Sequence, residues 1–330
     1  MYTDDKEKVM VRLYVIGNGF DLLHKLPTSW DDFIYSSAGA LWNSSIFENP
    51  DDPEHPWADL ESNLGKPNVE EICEQLKENY EQTISTMDTD SGGAVPPANL
   101  NLTSSLGISP DVYDEIAENV KEWISSVSLK GVHPIPKWPL PSDLFVTFNY
   151  TMLLEEVYGV KKSQICHIHG SVKSAKIIVG HGSDVEVRGL SQIESTEYDP
   201  YPNQPDISQR EVEAELRDIA ESVGQRLIEI TKKNIDSGLD NLDYFLKQIS
   251  GKQVKEIIVI GHSLGDVDKP YINKLALAYP QAQWTVTYHG DKCRKEDKTR
   301  KSEMYSSAKA NGIPLKGLKI IRSKQYFDSL

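Results

Sequence analysis

Cysteine is scarce in this chain. Its 330 residues hold three, Cys73, Cys166 and Cys293, odd in number and far apart. That excludes a disulfide framework and a cysteine zinc module. Long apolar runs are missing too. No stretch approaches the roughly 20 apolar residues that span a bilayer. The first ten residues, MYTDDKEKVM, are charged where a signal peptide carries an apolar segment. These absences make a cytoplasmic protein without membrane contact the expectation. An excess of positive charge is also lacking: the net charge is −15. General nucleic-acid binding is therefore not expected, because it needs a basic surface. Lys292–Lys301 is locally basic and reads as a solvated helix face. No carboxylates cluster at metal-binding spacing, which argues against a metal-dependent nuclease and predicts no bound metal.

What the chain does contain is a recurring pattern of short apolar strand and polar turn. Val9–Ile16 runs into Gly17-Asn18-Gly19-Phe20-Asp21. Leu144–Phe148 stops at Asn149-Tyr150-Thr151, and Ile165–Ile168 stops at His169-Gly170-Ser171. Lys176–Val179 (KIIV) stops at Gly180-His181-Gly182, and Glu256–Ile260 (EIIVI) stops at Gly261-His262-Ser263-Leu264-Gly265-Asp266. Gln283–Tyr288 and Leu318–Ile321 are the last strands expected. Helical stretches lie between them at Met152–Val157, Ser208–Lys233 and Leu239–Ile249. Strands alternating with helices predict an α/β fold with one Rossmann-like, mostly parallel sheet in a single domain, 1–330.

Two segments interrupt the pattern. Residues 35–140 read as a helical insertion, with amphipathic acidic helices near Val69–Ile84 and Pro110–Val127 and a proline-rich return at His133–Pro141. Residues 190–250 read as a second helical insertion and lid, opening on a polar loop. If both border a cleft, they gate it. Trp42, Trp57, Trp123 and Trp138 are expected to pack rather than to stack on a ligand.

In a parallel sheet, ligands bind beyond the carboxyl ends of the strands. Asn149 and His169 stand at two such ends and are the first candidates for a reacting pair. Gly17-Asn18-Gly19 suggests a tight turn whose N–H groups meet a phosphate at a helix start. Leu22 stands where a full dinucleotide fingerprint has its third glycine. Asp21 could cap its own turn. His167, one residue from His169 on a strand, should point the opposite way and serve structure. Gly261–Gly265 (GHSLG) also matches a nucleophile elbow, so an esterase using Ser263 is an alternative. Against it, only His289 follows, the acid partner would have to be Asp266, Asp268, Asp291 or Asp297, and two acids and Pro270 stand where the elbow helix packs closely.

The blocks LYVIGNGFDLLHKLPTSWDDF, TFNYT, HIHGS and IGHSLGDVD, in that order, resemble the AbiH family of bacteriophage abortive-infection proteins. They also resemble a divergent sirtuin-type NAD-binding domain. The likeness rests on these four short blocks and leaves the insertions out. It implies that Asn149 and His169 are the catalytic pair and that Gly17, Gly19 and Ser263 contact the cofactor. Asn18, Asp21, Gly261 and Asp266, in the same turns, join the expected cofactor contacts. Departures are plain. The four-cysteine zinc module is missing, and Thr151 replaces the sirtuin aspartate after Asn-x. Protein deacylation is therefore not expected, whereas hydrolysis of NAD to nicotinamide and ADP-ribose is. A module that binds NAD or ADP-ribose without turnover is the other alternative. The expected partner is NAD as substrate. The sequence leaves room for a phage-derived trigger, a partner subunit or a homo-oligomer and names none of them.

Overall fold

The computed structural model describes residues 10–34, 36, 64–86, 112–182, 207–290 and 294–330. The chain divides into two compact units. One comprises 1–39, 117–179 and 234–330; the other comprises 40–116 and 180–233. The segments expected as insertions are thus divided, since residues 117–140 and 234–250 belong with the sheet. Trp42, Trp57 and the polar loop after residue 190 lie outside the described residues.

The first unit is built on six parallel strands. They are β1 (Met10–Ile16), β2 (Leu144–Thr147), β3 (Ile165–His167), β4 (Gln253–Ile260), β5 (Gln283–Tyr288) and β6 (Lys319–Arg322). Their order across the sheet is β3-β2-β1-β4-β5-β6. This is the doubly wound Rossmann order, and the chain reverses direction across the sheet between β1 and β4. Lateral pairing is in register from Leu13 against Leu144 on one side of β1 and Leu13 against Ile257 on the other.

The strand residues explain the layering. Leu13, Tyr14, Val15 and Ile16 are consecutive and all fully buried. A strand covered on both faces reads as such a run rather than as an alternation. Leu13 and Val15 share one core with Val146, Ile257, Val259 and Trp284. Helices α7 (Ile235–Gln248) and α8 (Lys269–Ala278) close that face through Leu242, Phe245, Tyr271, Ile272 and Leu275. Tyr14 and Ile16 point to the other core with Phe145, Ile258 and Ile260. That face is closed by Phe20 of α1 (Gly19–Leu23), Leu153 and Leu154 of α5 (Leu153–Glu156), Trp138, and Tyr326 of α10 (Ser323–Asp328). Trp138 meets Tyr14, Phe20 and Tyr158 at ring-centroid distances of 5.3, 5.2 and 4.9 Å, as a packing residue does. Trp123 packs likewise on Phe33 of α2 (Trp30–Ile34).

Local chemistry sets the element ends. Ser29 opens α2: its hydroxyl accepts from the Asp32 N–H, and the Asp32 carboxylate accepts from the Ser29 N–H at 2.9 Å. This reciprocal bonding caps the helix at Ser29. Asn234 caps α7 by accepting from Ser237 N–H, so that helix begins four residues before the apolar pattern suggested. KIIV is not a strand. Ile178 gives its N–H to the His169 carbonyl and takes a bond from the Tyr150 hydroxyl, both at 2.8 Å. These are single ties to the β2 and β3 loops, not a ladder, and β3 stays the sheet edge.

In the second unit, α3 (Val69–Thr86) packs against α6 (Ile207–Ile230). Ile72 and Leu76, one turn apart, and Leu216, Ala220 and Leu227 form buried stripes on the two helices. The unit boundary falls inside α4 (Val112–Ser126). Between α9 (Arg294–Ala310) and the sheet, Ala308 is fully buried. No described helix is long and apolar enough to cross a membrane.

Candidate functional site

All six strands end on the same side, so the polar turns after β1, β2, β3 and β4 meet along one edge. The turns after β1 and β4 are hydrogen-bonded to each other. Gly17 N–H donates to Ile260 at 3.0 Å and Gly19 N–H to Gly261 at 2.8 Å. The approach is too close for side chains. A Cβ on Gly17 would stand 2.6 Å from the Gly261 carbonyl oxygen, and one on Gly261 would stand 2.3 Å from the Phe20 nitrogen. Gly261 also has φ +66°, a conformation that favours glycine. Backbone-to-backbone packing thus requires these glycines. The Gly17 and Gly19 amides are committed to β4 whatever ligand the edge holds. Asn18 is exposed, and its amide donates to the Thr28 carbonyl at 2.6 Å, tying the turn to the loop before α2.

Two clusters of buried polar groups lie along the edge. The first gathers around Asp21. Its side chain does not cap its own turn. It reaches the β2 loop, where its Oδ2 accepts from the Thr151 hydroxyl at 2.8 Å. Asp21 is 1% exposed, and burial pushes its carboxyl up to about 7 against the opposing pull of the Thr151 bond, the Asn149 carboxamide and the charge of nearby His167. Asn149 is buried, yet neither its Oδ1 nor its Nδ2 completes a hydrogen bond among the described residues; Asp21 Oδ1 is equally unpartnered. Buried polar atoms left so are rare and ask for an explanation. His167 belongs here as well. Its Nδ1 lies 3.1 Å from the Asn149 carbonyl oxygen and its Nε2 2.9 Å from Glu155 Oε1. Both partners are acceptors, so both bonds form together only when the ring carries two protons.

The second cluster centres on Asp268, in the turn before α8. Its Oδ2 lies 3.2 Å from His262 Nε2 and its Oδ1 3.6 Å from His169 Nε2. His262 Nδ1 accepts the Leu264 N–H at 2.9 Å. That fixes the tautomer: in the neutral ring Nε2 bears the hydrogen and faces the carboxylate. Phe148 packs edge-on to both imidazoles, at 5.3 Å from His169 and 4.2 Å from His262. Tyr271 packs on His169 at 5.4 Å. Leu264, at φ +58°, holds the loop that presents His262. Among the described residues no set of three or more His, Cys, Asp or Glu is disposed to hold a metal ion.

The structure therefore joins Asn149 to Asp21 and His169 to Asp268 and His262. The two expected partners are linked through Phe148, the neighbour of Asn149 in sequence. Ser263 and Asp266 are exposed on the β4 loop, outside both clusters, and no histidine or carboxylate pairs with the Ser263 hydroxyl among the described residues. Sequence reasoning missed His262, and it offered Asp268 only as an acid for Ser263, not as a partner of His169. The signal is present in the sequence: His262 follows β4 as His169 follows β3, although the serine of GHSLG masks the parallel. Thr151 was noted only as a departure, whereas it holds Asp21.

No curated protein and no solved structure significantly matches the chain. The profile of the family described as Bacteriophage abortive infection AbiH matches residues 13–288, which takes in the edge turns of β1, β2, β3 and β4 and every residue of both clusters. The chain belongs to the AbiH family, and membership implies a role in phage abortive infection.

Proposed function

We propose that the protein acts in abortive infection by hydrolysing NAD to nicotinamide and ADP-ribose at the carboxyl edge of its sheet. The observation that carries this reading is the buried Asn149 carboxamide, with both polar atoms unpartnered, beside an Asp21 carboxyl pushed up to about 7. A buried donor and acceptor at the end of a Rossmann strand suit a ribose hydroxyl or a water. In the reaction the bond between the ribose C1′ and the pyridinium nitrogen breaks. Its electron pair stays on nicotinamide, which leaves neutral. A water oxygen attacks the oxocarbenium-like C1′, in the manner of glycoside hydrolysis.

The chain's groups divide the work. Asn149 orients the water or the ribose. His169 takes the proton released by the water, a task for a base near neutral pKa. Asp268 stabilises the imidazolium that results and aligns the ring. His262 presents its Nε2–H to the same carboxylate and holds it in place. Gly17, Gly19 and Gly261 keep the edge free of side chains. Because the Gly17 and Gly19 amides serve β4, other donors receive the pyrophosphate.

Incubation of purified protein with NAD, with nicotinamide and ADP-ribose followed by chromatography, tests the reading. Stoichiometric release of both products is expected. NAD recovered intact from the protein after long incubation would replace hydrolysis with nucleotide sensing. Labelling of Ser263 by a fluorophosphonate in active protein would instead favour esterase chemistry.

A further inference from the structure

A cleft of about 980 Å3 opens in the sheet-bearing unit, away from both polar clusters. Its walls are the turn after α1, the 128–136 loop, the end of β5 and the start of α10. Lys25, Lys130, Arg322 and Lys324 line it, against a single lining acid, Asp328. In a chain of net charge −15 this is an anomalous concentration of cations. Three of them are exposed lysines, whose bland role is solvation. Three observations argue for more. The groups converge on a concavity of small-ligand size rather than on a convex face. Arg322 is fixed: its Nε donates to Asp297 at 2.7 Å, and Asp297 also accepts the Tyr288 hydroxyl at 3.0 Å. Asp297 offsets part of that charge, and the lysines remain in excess. Finally, Lys25 sits at φ +59°, just past the end of α1, where glycine is the favoured residue. A lysine kept in the left-handed conformation beside a cleft points to a use for its side chain.

We propose that this cleft binds the phosphate or pyrophosphate group of a nucleotide. Arg322 and the lysines meet the anion, with Phe327 and Tyr288 as the apolar wall behind it. The site is independent of the Asn149 and His169 clusters and stands whether or not the protein cleaves NAD.

The test is calorimetric titration of the full chain with inorganic pyrophosphate, ATP and adenosine. Pyrophosphate and ATP should bind, with affinity falling as salt rises, and adenosine should bind at least ten-fold more weakly. Lys25→Gly should weaken pyrophosphate about ten-fold, the loss of one charge-assisted bond. The same substitution should raise Tm, because glycine relieves the backbone. This opposite movement separates ligand recognition from damage to the fold. Lys324→Glu should weaken binding further, whereas His169→Ala should leave it unchanged. Failure of pyrophosphate and ATP to bind overturns the proposal. So does binding that is indifferent to Lys25→Gly and Lys324→Glu, adenosine binding as tightly as ATP, or an oligonucleotide binding where pyrophosphate does not.

Discussion

A carboxyl group whose burial outweighs the pull of its polar neighbours changes the pH response of the whole protein, and Asp21 is such a group. Its folded pKa of about 7 lies above the ordinary value of 3.8. The native state therefore holds a proton between those limits that the unfolded chain has released. Stability linked to Asp21 is complete below about pH 4 and is lost as pH rises through 7. Asp21→Asn keeps an acceptor for Thr151 and adds a donor that can face Asn149. The variant should be more stable than the wild type at pH 8, by up to a few kcal/mol, with the gap closing towards pH 4. Melting curves across that range measure it; a gap that is constant or widens on acidification contradicts the assignment. On the catalytic side, His169→Ala and Asn149→Ala should each lower NAD turnover by about 100-fold or more while the protein stays folded. Asp268→Asn should lower turnover too, with His169 still present. His167→Ala should instead reduce stability by roughly 1–3 kcal/mol, since it removes the link between Asn149 and Glu155. Wild-type activity per folded His169→Ala molecule overturns the mechanism. At this scale the sequence named Asn149 and His169 but not their partners. Strand ends are visible in a local pattern. Contacts between Asp21 and Thr151, or between His169 and Asp268, join turns distant in sequence and leave no periodic trace.

Elements, by contrast, were largely legible. β1, β2, β4 and β5 are runs of buried apolar residues bounded by glycine or polar turns, and period and punctuation suffice for those. KIIV misled because it has strand composition without a strand to pair with. Composition reports burial, and Ile177 and Val179 are indeed buried, but it does not report a ladder. Two elements carry testable ties. Arg12 on β1 grips Asp143, just before β2, through Nε at 3.0 Å and Nη2 at 2.8 Å, and Asp143 is 1% exposed. Arg12→Met leaves that carboxylate buried and unpaired, which should cost about 3–5 kcal/mol; adding Asp143→Leu should recover much of it. Chemical denaturation of the three proteins decides. Gly261→Ala adds a Cβ against Phe20 at a position of positive φ, and a loss of about 2–4 kcal/mol is expected from overpacking and strain together. A near-neutral result in the same denaturation series would show that the two turns can separate.

For the whole molecule, the pattern of strand and helix foretold the sheet but not the division of the chain. Residues 117–140 and 234–250 belong to the sheet-bearing unit, and residues 40–116 and 180–233 to the other. Expression in a bacterial host links the molecule to its family role. Wild-type protein should lower phage yield, with cellular NAD falling during infection, and Asn149→Ala should lose both effects. Protection that persists in that variant would dissociate the role from the edge cluster. The bonds between Gly17 and Ile260 and between Gly19 and Gly261 bear on the timing of that role. They join a turn translated before β2 and β3 to one translated after them. Until β4 and Asp268 have been translated, His169 has no carboxylate partner and the first turn has no wall. A ribosome therefore carries β2 and β3 before the proposed site can close. Under the proposed reaction, a message interrupted before β4 yields a chain that lacks part of the site.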